Sequence, residues 1–348
     1  MKKTIGIGAA VFAIIIACAP AVSADAARVA LALCGGTLIP SLFPFFVCAN
    51  VLVGSGMTGT LGRILEKPMR RCFGIGGEGA SAVLLGLISG YPAGAAVTCR
   101  LYAAGSISRS EAERLLAFTN NAGPLFVIGV IGMGVYQSAE VGYMLLIAQS
   151  LAAISVGACM RLLGKRTGEQ RGKVRRCFGD PMGDAVQTLL TLCGFVIFFS
   201  VLTAFMETAG ILEAIRRILC LAGMGENTAA LLTEGFFEIT AAAKSKGAAM
   251  PAMAGLLSFG GMSVFLQTVS LVRKAGLSMK SYCLGKGLAV GFSALYCRFL
   301  LSVWKPSMEV SLSAPMAKTV LFGGYLGAAA LLAIFVYGLH ALLERFCK

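Results

Sequence analysis

The sequence predicts an all-α polytopic membrane protein: an inverted repeat of transmembrane helices with two re-entrant or broken hairpins. Three observations predict it. The chain has 348 residues, is 57% hydrophobic and 13% charged, and has a mean hydropathy of +0.82, whereas a soluble domain carries about 25% charged residues. Several apolar runs reach the roughly 20 residues that cross a bilayer core, and such spans must be helical because their backbone groups meet no water in lipid. Finally, apolar stretches are interrupted twice, in matching order. Gly90-Tyr91-Pro92-Ala93-Gly94-Ala95 is followed by Thr119-Asn120-Asn121-Ala122-Gly123-Pro124, and Glu234-Gly235-Phe236-Phe237-Glu238-Ile239-Thr240 by Ser258-Phe259-Gly260-Gly261-Met262-Ser263. Paired Gly/Pro-interrupted spans in two halves point to a secondary-transporter site at the bilayer midplane.

Hydropathy and the cytoplasmic bias of Lys and Arg set the path. Span one covers about 5–22 and leaves the cytoplasm; span two, about 28–54, returns to the basic loop 61–72. Residues 80–98 are apolar but broken, and both flanks are basic, so this segment is expected to be a re-entrant hairpin. Span three (about 115–136) goes out, and span four (about 140–160) returns to the basic loop 161–176. Span five (about 184–206) goes out, 209–222 lies at the interface, and 228–243 is the second broken segment. Spans six (about 250–272), seven (about 283–303) and eight (about 318–341) complete a count of eight, with both termini inside. One pair resists this path: Arg216 and Arg217 fall outside, while their counterparts Arg70 and Arg71 fall inside.

The halves echo each other. Ile64-Leu65-Glu66, Arg70-Arg71, Gly77-Glu78 and Leu84-Leu85 align with Ile211-Leu212-Glu213, Arg216-Arg217, Gly225-Glu226 and Leu231-Leu232. With three spans plus a hairpin in each copy, the second copy stands upside down. The organisation expected is a signal-anchor helix at 1–27, a first repeat at 28–163, a basic cytoplasmic loop at 164–183, a second, inverted repeat at 184–303, and a terminal helix and tail at 304–348. The start also has the layout of a signal peptide, with Val22-Ser23-Ala24 as a cleavage site; an uncleaved helix is preferred.

The net charge of +14 reports cytoplasmic loops rather than nucleic acid. The twelve cysteines lack C-x-x-C spacing and are read as small packing hydrophobes. His340 is the single histidine, which leaves no metal site and no triad. Gly74-Ile75-Gly76-Gly77-Glu78 lacks the residues of a phosphate loop, so ATP hydrolysis is not expected. No cofactor and no catalytic residue are assigned, and the chain is not read as an enzyme.

The chemistry gathers at the breaks. Gly90, Pro92 and Gly94 suit a hairpin tip beside Tyr91, since glycine permits unusual dihedrals and proline removes a donor. The half-helix that follows offers a partly positive N-terminus to a carboxylate. Asn120 and Asn121, next to Gly123, bring amide donors and acceptors to a solute or ion; interhelical hydrogen bonding is the alternative. Glu234 and Glu238 share a helical face and are the candidates for coupling a proton or cation, with Thr240 beside them. Ser258, Gly260, Gly261, Ser263 and Gln267 form the second-half counterpart of the Asn pair. Arg298 is the expected grip for an anion, or the ion-pair partner of Glu238.

Taken together, the four interrupted strings resemble the YlbJ-type sporulation integral membrane proteins, grouped with nucleoside-recognition (Gate) domain proteins that resemble concentrative nucleoside transporters. The resemblance covers about 28–303. It implies a bacterial cell membrane, the mother-cell-derived membrane around the forespore, and a part in late spore and cortex maturation. The implied partners are the lipid bilayer and a small anion, dipicolinic acid, with a coupling cation; a nucleoside solute and a non-transporting scaffold for spore envelope assembly are the alternatives. Where the family's Gly-Tyr-Pro-x-Gly-Ala string is expected to continue with Lys, this chain has Ala96.

Overall fold

The computed structural model describes residues 2–55, 57–163, 180–304 and Pro306. Among them the chain is helical apart from its turns and breaks and contains no strand, an all-α polytopic membrane protein. The helices are α1 (Lys2–Cys18), α2 (Pro20–Leu33), α3 (Ile39–Gly54), α4 (Met57–Phe73), α5 (Ala80–Ser89), α6 (Ala93–Ala103) and α7 (Arg109–Leu116). They continue with α8 (Ala139–Leu163), α9 (Pro181–Thr208), α10 (Ile211–Leu221), α11 (Glu226–Phe237), α12 (Met250–Phe259), α13 (Gly261–Lys274) and α14 (Lys280–Val303). Span eight, His340 and most of the 161–176 loop fall outside the described residues.

Five described helical segments are long and apolar enough to cross a membrane: Pro20–Leu38, Ala139–Leu163, Pro181–Thr208, Met250–Lys274 and Lys280–Val303. Three expected spans differ. Span two, expected at about 28–54, has helix from Pro20 onward, and the expected loop 61–72 is part of the helix α4. Span one ends early: α1 stops at Cys18 because Pro20 starts a new helix and restrains Ala19. Span three is discontinuous, with the short α7 on one side of the polar break and a π-helical segment, Leu125–Val135, on the other. That wide segment lies against α8 through Gly132 and Gly142, where an added Cβ on Gly132 would stand 2.6 Å from the Gly142 Cα. Small residues let the two backbones approach this closely.

Both broken segments are hairpins of short helices, and glycine explains the first. The α5 and α6 helices pack on each other and share one guest, the Thr119 carbonyl, which a Cβ on either Gly86 or Gly94 would overlap. At the tip Gly90 has φ +84°, and its Cβ would lie 2.5 Å from the Gly123 nitrogen. The first tip therefore rests on the break of the next span. The second half repeats this relation. There α11 gives way at Glu238 to a 3₁₀ turn, Ile239–Lys244, and Gly261, at φ +78°, comes within contact of the Gly235 carbonyl and the Ile239 nitrogen.

The hairpins enter from opposite ends of the bundle. At the basic end, Arg100 pairs with Asp184 at 3.1 Å, Glu111 accepts from the Gly76 amide at 2.8 Å and from its own capping box at Ser108, and Glu113 accepts from the Ser278 amide at 3.0 Å. At the other end, Tyr136 donates to the Ala248 carbonyl at 2.9 Å and Ala249 to the Thr228 hydroxyl at 3.0 Å. Arg216 and Arg217 lie there too, and carboxylates meet them. Arg216 has Glu213 at 3.2 Å and Glu207 and Glu234 each at 3.6 Å, while Arg217 holds Glu213 at 2.8 Å. The half-exposed Glu213 carboxyl is held below its usual range by its hydrogen bond from Arg217. Carboxylates thus surround both arginines at this end of the bundle.

Candidate functional site

The two hairpin tips and the two span breaks meet at one buried place. Tyr91 of the first tip touches the second break, with its ring 3.3 Å from the Cβ position of Gly260. The backbone opened at Ala122 is met by Gln149 of α8, whose amide accepts from Ala122 N at 3.2 Å and donates to its carbonyl at 2.9 Å. Such breaks in lipid need partners of this kind, since each unmet backbone group costs several kcal/mol, on the order of 2–7.

At the centre stands Lys286 of α14, 2% exposed. Its ammonium donates to the Asn120 carbonyl at 2.5 Å and to the Ser258 carbonyl at 2.6 Å. These belong to the two breaks, one from each half. The cation thus lies at the C-terminal ends of the half-helices α7 and α12, where the helix dipole favours positive charge. The Tyr91 and Tyr282 rings flank it, with centroids at 6.0 and 5.7 Å, within cation–π range. Lys286 lies inside predicted span seven and joins the expected site residues; an intramembrane lysine is itself a functional signal.

The buried anion is Glu238, 3% exposed. One carboxylate oxygen accepts from the Thr240 amide and hydroxyl, each at 3.2 Å. Ser263, in the first turn of α13, faces the carboxyl and itself accepts from Gln267 Nε2 at 3.2 Å. A carboxylate beside a helix N-terminus is electrostatically favoured. Glu238 forms no ion pair with any described cation, so the expected pairing with Arg298 does not occur. Arg298 is exposed on the outer face of α14. The residues Tyr282, Lys286, Ala289, Ser293 and Cys297 make the buried stripe of that helix, and position 298 is one step round from it.

Other expected residues are distributed as follows. Asn120 donates to Thr268 Oγ1 at 3.0 Å and Tyr282 OH at 3.3 Å. Because Thr268 spends its own proton on the Val264 carbonyl at 2.9 Å, the Asn120 NH₂ must face it, which turns Oδ1 away. Asn121 is engaged locally, donating to the Phe118 carbonyl at 2.7 Å. Gly90, Gly94, Pro92 and Gly123 shape the tip and its contact with the break. Glu234, one turn before Glu238, belongs to the Arg216 cluster at the far end.

Six buried polar atoms around these tips and breaks have no hydrogen-bond partner among the described residues: Ser89 Oγ, Tyr91 OH, Asn120 Oδ1, Glu238 Oε2, Ser258 Oγ and Gln267 Oε1. Buried polar groups are ordinarily paired, and these six gather around the tips and breaks beside Lys286.

No family model matches the chain, and no solved structure matches it. The chain is 29% identical over 324 residues to the sporulation integral membrane protein YlbJ of Bacillus subtilis (strain 168), covering 82% of this chain and 79% of the relative. With an all-helical membrane fold interrupted at both expected pairs of breaks, that similarity supports a YlbJ-type protein.

Proposed function

We propose that this chain moves a small anionic metabolite across a membrane during sporulation, with dipicolinic acid as the first candidate and late spore and cortex maturation as the setting. The bounding membrane of the forespore is the location this reading implies. The observation that carries it is the meeting of both breaks at Lys286, amid six unpartnered buried polar atoms. A dry scaffold would gain nothing from such atoms, each costing about 1–3 kcal/mol unmet. The two hairpins entering from opposite ends suit an inverted duplication, the arrangement that places a site at the midplane for alternating access.

Uptake of labelled dipicolinate into proteoliposomes tests the proposal. The wild-type chain is expected to accumulate label above empty vesicles, and Asn120→Ala to lose most of it while remaining folded. Folded wild-type protein that carries no dipicolinate under any imposed ion gradient would sink the dipicolinate reading. Competition by a nucleoside in the same assay would move the solute to that class.

A further inference from the structure

The two carbonyls that hold Lys286 are of the kind that ordinarily holds a metal cation, and the step taken from them rests on the transport reading above. In secondary transporters with broken helices, unwound backbone carbonyls and the C-terminal ends of half-helices coordinate the coupling ion. Both kinds are present here. Asn120 lies in the non-helical stretch 120–123 after α7, and Ser258 lies in the last turn of α12, where a carbonyl has no intrahelical partner. One comes from each half, and they meet at a single nitrogen, Lys286 Nζ, at 2.5 and 2.6 Å. The Tyr91 and Tyr282 rings, with centroids at 6.0 and 5.7 Å, add two faces that attract a cation. No described carboxylate pairs with the ammonium.

The lysine is placed by packing rather than by its own contacts. Gly285, its neighbour, admits the Ala117 carbonyl, which an added Cβ would overlap. Two turns on, Ser293 donates to the Ala254 carbonyl at 2.9 Å. Helix α14 is thereby held against both half-helices, α7 and α12. The residues that supply the two carbonyls also carry buried side-chain oxygens without a hydrogen-bond partner, Asn120 Oδ1 and Ser258 Oγ, and hard cations take oxygen ligands of these types.

We propose that Lys286 is a covalently tethered stand-in for the coupling cation. It fills an alkali-ion position between the two breaks, so the chain moves its solute without Na⁺ or K⁺. Removing the lysine uncovers that position for a free monovalent cation.

Thermal melting of the purified full-length protein in nanodiscs tests this. Sodium, potassium, ammonium and choline chlorides are compared at equal concentration, in mildly acidic buffer to keep the amine protonated. Wild type is expected to melt at the same temperature in every salt. Lys286→Ala, which leaves room at the carbonyls, should melt lower in choline and regain about half of that loss in a small cation. Lys286→Met, which fills the room with an uncharged chain, should melt lower in every salt alike. Wild-type protein stabilised by sodium or potassium over choline would overturn the inference. So would Lys286→Ala that no small cation restores, or Lys286→Met restored equally. Should Lys286→Ala fail to fold, the wild-type comparison decides alone. Dipicolinate uptake should be unchanged when choline replaces the alkali ions on both sides of the membrane. Uptake that requires Na⁺ or K⁺ would overturn the inference and leave the transport reading standing. No uptake in any salt would count against the transport reading, while the melting comparison would still decide what occupies the carbonyl position.

Discussion

The two hairpin tips stand in corresponding places and are built from different chemistry. The first is sealed by glycine. Gly86 and Gly94 admit the Thr119 carbonyl, Gly90 rests on Gly123, and the tip brings only the Ser89 and Tyr91 hydroxyls as unpartnered polar atoms. The second is opened by a charge. Its chain leaves the helix at Glu238, which keeps one carboxylate oxygen unpartnered, and its glycine contact comes from Gly261 of the next span. One tip is mainly a packing element and the other an electrostatic one. Duplicated geometry at a site need not mean duplicated roles.

The largest expected effect breaks the first tip. Gly94→Val would drive a branched side chain into the Thr119 backbone, where neither side can yield, and should destabilise by about 3 kcal/mol or more. Loss of a monodisperse peak in detergent size exclusion, or a large drop in melting temperature, checks it. A well-folded Gly94→Val protein would mean that the glycine contact is not what closes this tip. Next comes Gln149→Leu, which strips both partners from the open Ala122 backbone and should cost about 2 kcal/mol, read by thermal melting with the uptake assay alongside.

Gly261→Ala probes the second tip more gently. An alanine forced to φ +78° costs about 1–2 kcal/mol, yet its main effect should be on Glu238. Dipicolinate uptake is expected to fall further than the melting temperature implies. Equal, modest losses in both readouts would make this tip a packing element like the first. The smallest effect is Arg298→Gln, which should change stability by less than about 0.5 kcal/mol and leave uptake alone. A large loss of uptake there would restore Arg298 to the site.

The breaks were legible because glycine, proline and paired polar residues inside apolar sequence have few physical excuses in lipid. Gly90, Asn120, Glu238, Ser258 and Gly260 could be picked out one by one, and the structure brings them together. Their neighbours were less legible. Gln149 sits singly in an apolar helix, and nothing local says that it clamps Ala122 across the bundle. Lys286 stands inside predicted span seven, but nothing local says that it reaches the breaks of both halves. Arg298 has chemistry that suits an anion, but it lies one step round α14 from the buried stripe that holds Ser293 and Cys297.

By itself the sequence determined the membrane class, the helical state of the described spans and the places where helices must break. These follow from transfer of residues into lipid and from backbone dihedral limits, both local properties. Only the tertiary structure decided which breaks face each other, that Lys286 bridges them, that Glu238 stands without a cation, and that Arg216 is neutralised by three carboxylates. Those outcomes depend on helix rotation and on contacts between residues more than a hundred positions apart, which spacing along one chain does not encode.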